Sequence, residues 1–444
     1  MSYTDPLAPL QAFRAGLYRC FNRRADALFE LTDALLTAAP LLSPAHLSLE
    51  PIHRRGWGSL YAALAKGRSD SLALRRLIAA QPLAGGQPVY AVDISIWPRS
   101  EAETSPERGY YYHAFRHTRG QPIVAGWAYQ WVAQLTFQRD SWTAPVDARR
   151  VAPHANRHAV AGEQIRAIQA TRPPAAAVPL FVFDAGYEPE PLARELGDLP
   201  VAVLVRLRRN RCFYADPTSQ RPRGRPRQHG AKFVCQQPAT WPAPTAEHTE
   251  EDERYGEVHV RAWANLHALN QVHPDRGSHR TRRVVRGWLL LVEVSRLPAR
   301  THRPLQLWLW WRGPGTPDLA LLWRAYAHRF DLEHTLRFAK QTLHWVLPRV
   351  RLPEQADRWT ALVVAAYTEL RLARASVRDR RLPWERALPP ERLTPYRVRR
   401  AFSALLPHLG TPASPPKPCG RSPGRPKGRR SGPAPRYPTF KKIA

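Results

Sequence analysis

Residues 326–340 restrict the fold of this chain more than any other segment, because they place two kinds of side chain on adjacent faces of a helix. Tyr326, Arg329, Glu333 and Lys340 stand at offsets of 0, 3, 7 and 14. At about 100° per residue, the last three fall within about 60° of the first. The apolar positions beside this polar line are Leu321, Ala325, Leu332, Leu336, Ala339 and Leu343. The pattern predicts a helix from about residue 318 to 345 that packs along one face and presents polar groups beside it.

The polar line combines a carboxylate with two cations and a phenol, a set suited to holding a phosphodiester beside a metal ion. Of the 67 basic residues in the chain only seven are Lys. A Lys at position 340 therefore indicates that a compact ammonium is needed there. The alternative interpretation is an ordinary amphipathic helix with a solvated charged face.

Two further carboxylates lie in runs that are typical of strands. Asp93 is in the middle of residues 88–97, where a charge needs solvent, a partner or a bound cation. Asp184 ends the apolar run 179–184 and precedes a Gly turn, and the carboxyl end of a strand is where α/β sheets usually bind ligands. Each could instead be structural, Asp93 as an edge-strand charge and Asp184 as a cap. Their combination with Glu333 favours a shared site.

The polar line resembles a known signature. One superfamily of the DDE transposases of bacterial insertion sequences carries Tyr-x2-Arg-x3-Glu-x6-Lys, and Tyr326, Arg329, Glu333 and Lys340 match it without a gap. The resemblance covers roughly residues 50–380. It implies that Tyr326, Arg329 and Lys340 bind DNA phosphates.

The three carboxylates extend the resemblance. In that family an RNase H-like core supplies two Asp and one Glu, and Asp93, Asp184 and Glu333 match them in order, separated by 91 and 149 positions. The second separation suits the subgroup with a β-rich insertion before the Glu. The resemblance implies a site for two Mg²⁺ ions, with Mn²⁺ as a substitute, in which Asp93 contacts both metals, Asp184 one and Glu333 the other. The implied reaction is metal-dependent DNA cleavage followed by strand transfer, without a covalent enzyme intermediate.

Composition agrees with a nucleic-acid partner. A formal net charge of +31 in 444 residues and a pI near 11.0 indicate a polyanionic partner, although a GC-rich genome would also enrich Arg. Neither an apolar stretch of about 18 residues nor a cleavable signal is evident, so we expect no membrane association. Four scattered Cys without a Cys-x-x-Cys pair indicate neither a zinc site nor a disulfide framework. With the resemblance, these features predict a bacterial cytoplasmic, nucleoid-associated protein.

The chain as a whole is predicted to be an α/β protein with an RNase H-like mixed-sheet catalytic core. Strands are expected at residues 88–97, 123–138, 179–184, 201–208, 256–263, 286–296 and 304–312, and helices at 161–170 and 357–378. The expected regions are a helical N-terminal region with possible end-DNA binding at 1–82, the first part of the core at 83–208, an insertion at 209–285, the second part of the core at 286–380, a short helical region at 381–410 and a basic disordered tail at 411–444.

Two Arg-Pro segments, residues 221–227 and 423–430, resemble the AT-hook core of Gly-Arg-Pro flanked by basic residues. An extended Arg-Pro segment is narrow enough for the minor groove, where A-tracts concentrate negative potential. The side chains expected to contact DNA are Arg223, Arg225, Arg227, Arg425 and Lys427. The alternative is a pair of solvated basic loops that arise from biased composition.

The sequence leaves two other functions open. One is a noncatalytic DNA-binding protein, either a decayed transposase acting as a repressor or a minor-groove architectural protein. The other is a nuclease without strand transfer. For the transposase, the resemblance implies double-stranded DNA partners, the transposon ends and the target, and a homodimer on that DNA.

Overall fold

Most strands lie in the middle of the chain, and helices precede them, connect some of them and follow them. The computed structural model describes residues 5–38, 43–81, 86–112, 123–138, 140, 142–173, 176–218, 227, 229–269, 284–297, 305–418, 424, 426–428 and 432–441. The helices among them are α1 (Ala8–Arg19), α2 (Ala25–Thr37), α3 (Trp57–Lys66), α4 (Ser71–Ala79), α5 (Arg157–Gln169), α6 (Pro189–Glu195), α7 (Leu319–His328), α8 (Phe330–Gln341), α9 (Pro353–Ala373), α10 (Pro395–Phe402) and α11 (Leu406–Leu409). Short 3-10 helices span Pro44–Leu49, Pro238–Thr240 and Pro390–Arg392.

The strands are β1 (Phe21–Arg23), β2 (Arg68–Ser69), β3 (Val89–Pro98), β4 (Gly109–Tyr112), β5 (Ile123–Leu135), β6 (Thr143–Val151), β7 (Leu180–Phe183), β8 (Ala202–Leu207), β9 (Cys212–Tyr214), β10 (Lys232–Val234), β11 (Ala246–Asp252), β12 (Gly256–Ala268), β13 (Gly287–Val294) and β14 (Leu305–Arg312). Every strand expected from the sequence is present, and the observed ends differ from the expected ends by a few residues. The strands that the sequence analysis does not predict are β1, β2, β4, β6, β9, β10 and β11. Strand β6 contains Pro145 and Asp147, two residue types that are depleted in strands.

One large mixed sheet organises the described part of the chain. Its 12 strands follow the order β10-β9-β12-β13-β14-β8-β7-β3-β5-β4, with β11 paired to β12 and β6 paired to β5. Strands β3, β7 and β8 run parallel, whereas β5 and β14 run antiparallel to β3 and β8. The expected α/β class with a mixed sheet is thereby confirmed. Strands β9–β12 lie within residues 209–285, where the sequence predicts the insertion, and β13 and β14 lie in the predicted second part of the core.

Side chains alternate between the two buried faces of the sheet. On β3, Ala91 packs in the cluster that contains α8, α9 and the N-terminal helices, whereas Val92 packs in the cluster that contains α5 and α6. On β7, Val182 belongs to the first cluster and Phe183 to the second. Successive strand residues point to opposite faces. Asp93, which follows Val92, therefore points to the face covered by α8.

The helix predicted at 318–345 forms in two parts, so the prediction of one continuous helix is wrong. Helices α7 and α8 are separated at Arg329, where the amide of Leu332 donates to the Arg329 carbonyl in a tight turn. Helix α8 also ends four residues before the predicted limit. His344 adopts φ of 55°, and the amide of Trp345 donates to the Ala339 carbonyl at 2.9 Å, which closes the helix with a left-handed cap.

The N-terminal region is helical as predicted, apart from the two-stranded pair of β1 and β2. Its helices pack on α9 in the main hydrophobic cluster. No helix in the described ranges combines the length and the apolar character needed to cross a membrane.

Part of the tail beyond residue 410 is fastened to the fold, so the prediction of disorder is wrong for those residues. Ala413 is buried, and the Ser414 amide donates to Asp26 Oδ1 at 3.1 Å. Further along, the Tyr437 amide donates to the Glu103 carbonyl at 2.8 Å. These contacts use mainly backbone groups, which composition does not reveal.

Candidate active site

Two parallel strands bring the first two predicted carboxylates side by side. In the register of β3 and β7, Val92 pairs with Phe183, and Asp93 and Asp184 are the residues that directly follow them. Both follow the alternation that points toward α8. The side chain of Asp93 is 21% exposed, and its Oδ1 accepts from the Ile94 amide at 2.7 Å. The aspartates are therefore neighbours at the carboxyl end of β7.

Helix α8 brings the third carboxylate to the same place through Arg329. Arg329 Nη1 donates to Asp93 Oδ2 at 3.2 Å, and Arg329 Nη2 donates to Glu333 Oε1 at 3.0 Å. Only 3% of the Arg329 side chain is exposed, against 47% for Glu333. One buried guanidinium thus spans two carboxylates that lie 240 positions apart in sequence.

The packing predicted for this helix is confirmed. Ala325, Leu332, Leu336 and Ala339 are buried in the main cluster, together with Leu343 beyond the helix end. This apolar side holds α8 against the sheet and leaves Glu333 beside the aspartates.

The site carries excess negative potential at Asp93. The pKa of Asp93 is raised to about 6, chiefly by burial and also by the neighbouring carboxylates Asp184 and Glu333, while the Arg329 guanidinium opposes the rise. Three carboxylates therefore face one buried guanidinium, and a further cation would stabilise their ionised forms.

The other two members of the signature also lie at this cluster. Tyr326 is buried, and burial raises the pKa of its hydroxyl, against the opposing charges of Arg329 and Arg206. The Arg329 guanidinium lies over the Tyr326 ring at 5.6 Å and over the Phe330 ring at 4.8 Å. The rings hold the guanidinium from behind while it faces the carboxylates.

Lys340 reaches the same group of charges from the last turn of α8. Its Nζ lies 5.9 Å from the centre of the Trp345 ring. Burial lowers the pKa of Lys340, and the charge of Asp93 opposes that change. The structure therefore brings Tyr326, Arg329 and Lys340 together with the carboxylates, as the spacing indicates.

Arg206 is a site residue that the sequence analysis misses. It lies on β8, on the face that Leu204 shares with α8, close enough to Tyr326 to affect its pKa. A charge inside the apolar run 201–208 is a signal that could have revealed it.

Arg157 and His158, at the start of α5, hold the turn that follows Asp184. Arg157 Nη1 donates to the Gly186 carbonyl at 2.9 Å, and the Glu188 amide donates to His158 Nε2 at 3.1 Å. The Asp184 carboxylate in turn accepts from the Gly186 amide. These contacts fix the direction of Asp184, and no sequence motif marks them.

The chemistry of the donors fits a hard divalent cation, although their present spacing does not form a metal site. Asp93, Asp184 and Glu333 offer the carboxylate oxygens that Mg²⁺ prefers. Among the described residues, however, no group of three or more His, Cys, Asp or Glu is arranged to hold a metal ion. Arg329 stands between Asp93 and Glu333 and forms an ion pair with each.

The Arg-Pro residues are not brought to this cluster by any contact in the described ranges. Arg227 and Lys427 are exposed at the surface. Arg223, Arg225 and Arg425 lie outside the described residues.

A mixed sheet that carries paired aspartates opposite a helical glutamate defines a candidate carboxylate-dependent enzyme. The family of DDE superfamily endonucleases matches residues 16–268, more than half of the chain, and the chain therefore belongs to that family. The match confirms the resemblance stated above. It includes Asp93 and Asp184 and ends before Glu333.

Other comparisons add little to this assignment. A solved structure of a piggyBac transposase synaptic complex with hairpin DNA aligns with a TM-score of 0.42 and 9% identity, over 92% of this chain and 81% of that chain. Curated proteins gave no match.

Proposed function

We propose that this protein is a DNA transposase that cleaves the ends of an insertion sequence and transfers the freed strand to a target by a DDE mechanism. The observation that carries the proposal is the convergence of Asp93, Asp184 and Glu333 around Arg329. Membership of the DDE superfamily endonucleases supports the phosphodiester chemistry. The strand order β6-β5-β3-β7-β8, with β5 antiparallel and β7 and β8 parallel to β3, supports an RNase H-like core divided between residues 83–208 and 286–380.

In this proposal Asp93, Asp184 and Glu333 hold two Mg²⁺ ions, which Mn²⁺ can replace. The bound ions supply activation of water for 3′ nicking and of the freed 3′-OH for strand transfer. Arg329 forms ion pairs with Asp93 and Glu333. With cations bound to those oxygens, the Arg329 guanidinium would be available to bind a phosphate of the DNA strand.

The remaining polar groups bind DNA. Lys340 and Tyr326 flank the carboxylates and contact terminal phosphates, and Arg206 extends this basic rim from β8. The net charge of +31 supports a double-stranded DNA partner, with a homodimer assembled on the transposon ends. A cytoplasmic, nucleoid-associated location in a bacterium follows from this activity.

The experiment that tests the proposal compares three variants, Asp93→Asn, Asp184→Asn and Glu333→Gln, with the wild type. Each should abolish Mg²⁺-dependent cleavage of DNA that carries the element's ends, because losing a ligand removes charge stabilisation of several kcal/mol. DNA binding should persist, since the phosphate contacts remain. The matched control is Glu391→Gln, an exposed carboxylate outside the site, which should cleave at the wild-type rate.

The products distinguish this function from the alternatives. Cleavage without joined products would indicate a nuclease. Equal DNA binding by all variants, with no cleavage even by the wild type under Mg²⁺ or Mn²⁺, would favour a noncatalytic DNA-binding protein. Wild-type cleavage by any one carboxylate variant would remove that residue from the site.

A further inference from the structure

Alternate residues of β3 connect the candidate active site with a basic surface at the end of the strand. Asp93, Trp97 and Arg99 stand at even separations, so they point to the same face of the sheet. The Arg99 amide donates to the Ala125 carbonyl at 2.7 Å, which continues the pairing of β3 with β5 by one residue. At about 3.3 Å per residue, Arg99 lies roughly 20 Å from Asp93 along the strand. One face of β3 therefore carries a carboxylate in its middle and a cation just past its end.

Helix α8 runs in the same direction as β3. At its start, Arg329 Nη1 donates to Asp93 Oδ2 at 3.2 Å. Just past its end, the ring centre of Trp345 lies 6.2 Å from that of Trp97. Because Trp97 follows Asp93 in the strand, the axis of α8 points from the carboxylates toward Arg99.

The outer side of α8 carries cations along this direction. Glu333, Arg337 and Lys340 stand at i, i+4 and i+7, which places them in one stripe of the helix. Arg337 is exposed and forms no ion pair within the described part of the chain. The stripe therefore begins with a site carboxylate and continues with two cations.

Three arginines meet where β3 ends and the segment after α8 crosses it. Arg349 and Arg351 are exposed on either side of the buried Val350, and Arg99 Nη2 donates to the Val350 carbonyl at 2.8 Å. We call Arg99, Arg349 and Arg351 the arginine cluster. Among the described residues, none of the three forms an ion pair with a carboxylate.

The positive charge of the arginine cluster is uncompensated. Burial lowers the pKa of Arg99, and the guanidiniums of Arg349 and Arg108 lower it further. Arg108 is itself 3% exposed, and its side chain donates to the carbonyls of Ser105, Arg99 and Tyr437 and not to a carboxylate. A bound anion would reduce the repulsion among these groups.

We infer that Arg337 and the arginine cluster form a DNA-backbone track, which continues from the candidate active site along α8 and holds phosphates about six base pairs from the cleaved bond, at about 3.4 Å of duplex axis per base pair. This inference rests on the proposed function for its DNA partner. The guanidinium fork matches the oxygens of a phosphate. Contacts of this kind fix the register of the duplex without reading its sequence.

The salt dependence of binding tests whether the arginines contact phosphates. With the full-length protein and a mixed-sequence duplex, Arg349→Gln and Arg351→Gln should each reduce the slope of log K against log salt by about 0.9, and the double variant by about twice as much. Arg254→Gln is the matched control, because Arg254 is exposed and follows the acidic residues 251–253. Its slope should equal that of the wild type. An unchanged slope in the double variant, or an equal reduction in the control, would overturn the track.

Neutral phosphates test where the track lies. Methylphosphonate groups are placed one at a time in DNA that carries the element's ends, and fluorescence anisotropy measures the affinity. Neutral phosphates about six base pairs from the cleaved bond should weaken binding by the wild type severalfold but not by Arg349→Gln, because the variant already lacks that contact. Arg337→Gln should cancel the effect of a phosphate nearer the cleaved bond, since Arg337 lies about one helical turn from Glu333. The reverse order would overturn the direction of the track.

The two proposals fail separately. If the wild type cleaves no DNA under Mg²⁺ or Mn²⁺ while the salt slopes differ as expected, the transposase function fails and the DNA-backbone surface stands. If cleavage occurs but each neutral phosphate affects the wild type and Arg349→Gln equally, the track is overturned and the proposed function stands. Thermal unfolding that matches the wild type confirms that the variants retain the fold.

Discussion

A specific contact between Lys340 and a DNA phosphate at this site can be distinguished from general phosphate binding. Lys340 is half-buried on the last turn of α8, and the charge of Asp93 affects its pKa, so it lies near the candidate site. A contact of this kind should depend on the correct placement of the strand.

Replacement of Lys340 by Ala should therefore reduce binding and cleavage of correctly ended DNA more than of random DNA. We expect a loss of about tenfold on the correct ends, equivalent to roughly 1.4 kcal/mol. Fluorescence anisotropy and single-turnover cleavage on both substrates measure it. Lys232→Ala is the control, because Lys232 is an exposed Lys on β10. An equal loss on both substrates would reduce Lys340 to a general phosphate contact.

Arg157 supports the candidate site indirectly. It donates to the Gly186 carbonyl and so holds the turn that orients Asp184. Outer partners of this kind typically contribute 10- to 100-fold to metal affinity or activity. Arg157→Ala should lower Mg²⁺ affinity by about tenfold, measured by calorimetric titration, and Arg157→Lys should restore part of it. The exposed Arg378→Ala serves as the control. An unaltered affinity in Arg157→Ala would contradict the positioning role.

At the scale of elements, the end of α8 depends on an aromatic cluster under the sheet. Trp345 is fully buried, and its ring centre lies 4.9 Å from that of Trp131 and 5.6 Å from that of Tyr129. Its amide also closes the helix through the Ala339 carbonyl. One residue thus both ends α8 and anchors it to β5.

Trp345→Ala should lower the free energy of unfolding by about 3–5 kcal/mol, the usual cost of removing a fully buried aromatic ring. Chemical denaturation followed by circular dichroism measures the change. Trp384→Ala should change it by no more than about 0.5 kcal/mol, because that side chain is 79% exposed. Comparable losses in the two variants would show that Trp345 does not anchor the helix.

At the scale of the whole molecule, a buried ionic cluster joins the N-terminal helices to α9. Arg14 Nη1 lies 2.5 Å from Asp33 Oδ1 and 2.6 Å from Glu369 Oε2, and all three side chains are almost fully buried. Two carboxylates share one guanidinium there. The pKa of Glu369 is raised to about 7, chiefly by burial and also by Asp33, while Arg14 opposes the rise.

Because the pKa of Glu369 is higher in the folded chain than its ordinary value of 4.5, the folded state takes up the proton more readily. Stability should be greatest below about pH 4.5 as far as this group is concerned, and should fall as the pH rises through about 7, by up to about 3 kcal/mol. Denaturation at pH 5, 6 and 7 should show a smaller decline in Glu369→Gln. The control, Glu391→Gln, should keep the wild-type decline, and a Glu369→Gln curve parallel to the wild type would refute the assignment.

At the scale of the whole molecule, the two Arg-Pro segments would contribute to DNA binding. If residues 221–227 and 423–430 read the minor groove, deleting them should weaken binding to AT-rich duplex more than to GC-rich duplex. Binding to both duplexes across a salt series measures the difference. Equal losses at every salt concentration would leave them as basic segments without groove recognition.

The sequence alone pointed to the three carboxylates and to the signature residues of the candidate site. Strand-like runs carried Asp93 and Asp184, and helical spacing aligned Tyr326, Arg329, Glu333 and Lys340, because alternation and the 3.6-residue repeat are local properties of the backbone. The family match confirms the resemblance that those residues suggested. The main strands and helices followed from the same local periodicity.

Only the tertiary structure decided how those residues are used. The ion pairs of Arg329 with Asp93 and Glu333, the approach of Arg206, and the support that Arg157 gives to the Asp184 turn all join residues distant in sequence. The bridge between Phe440 and Gly109 on β4 is likewise invisible in composition, because it is made of backbone hydrogen bonds available to almost any residue. Local patterns specify elements, whereas the sheet register and the packing of α8 specify which side chains meet.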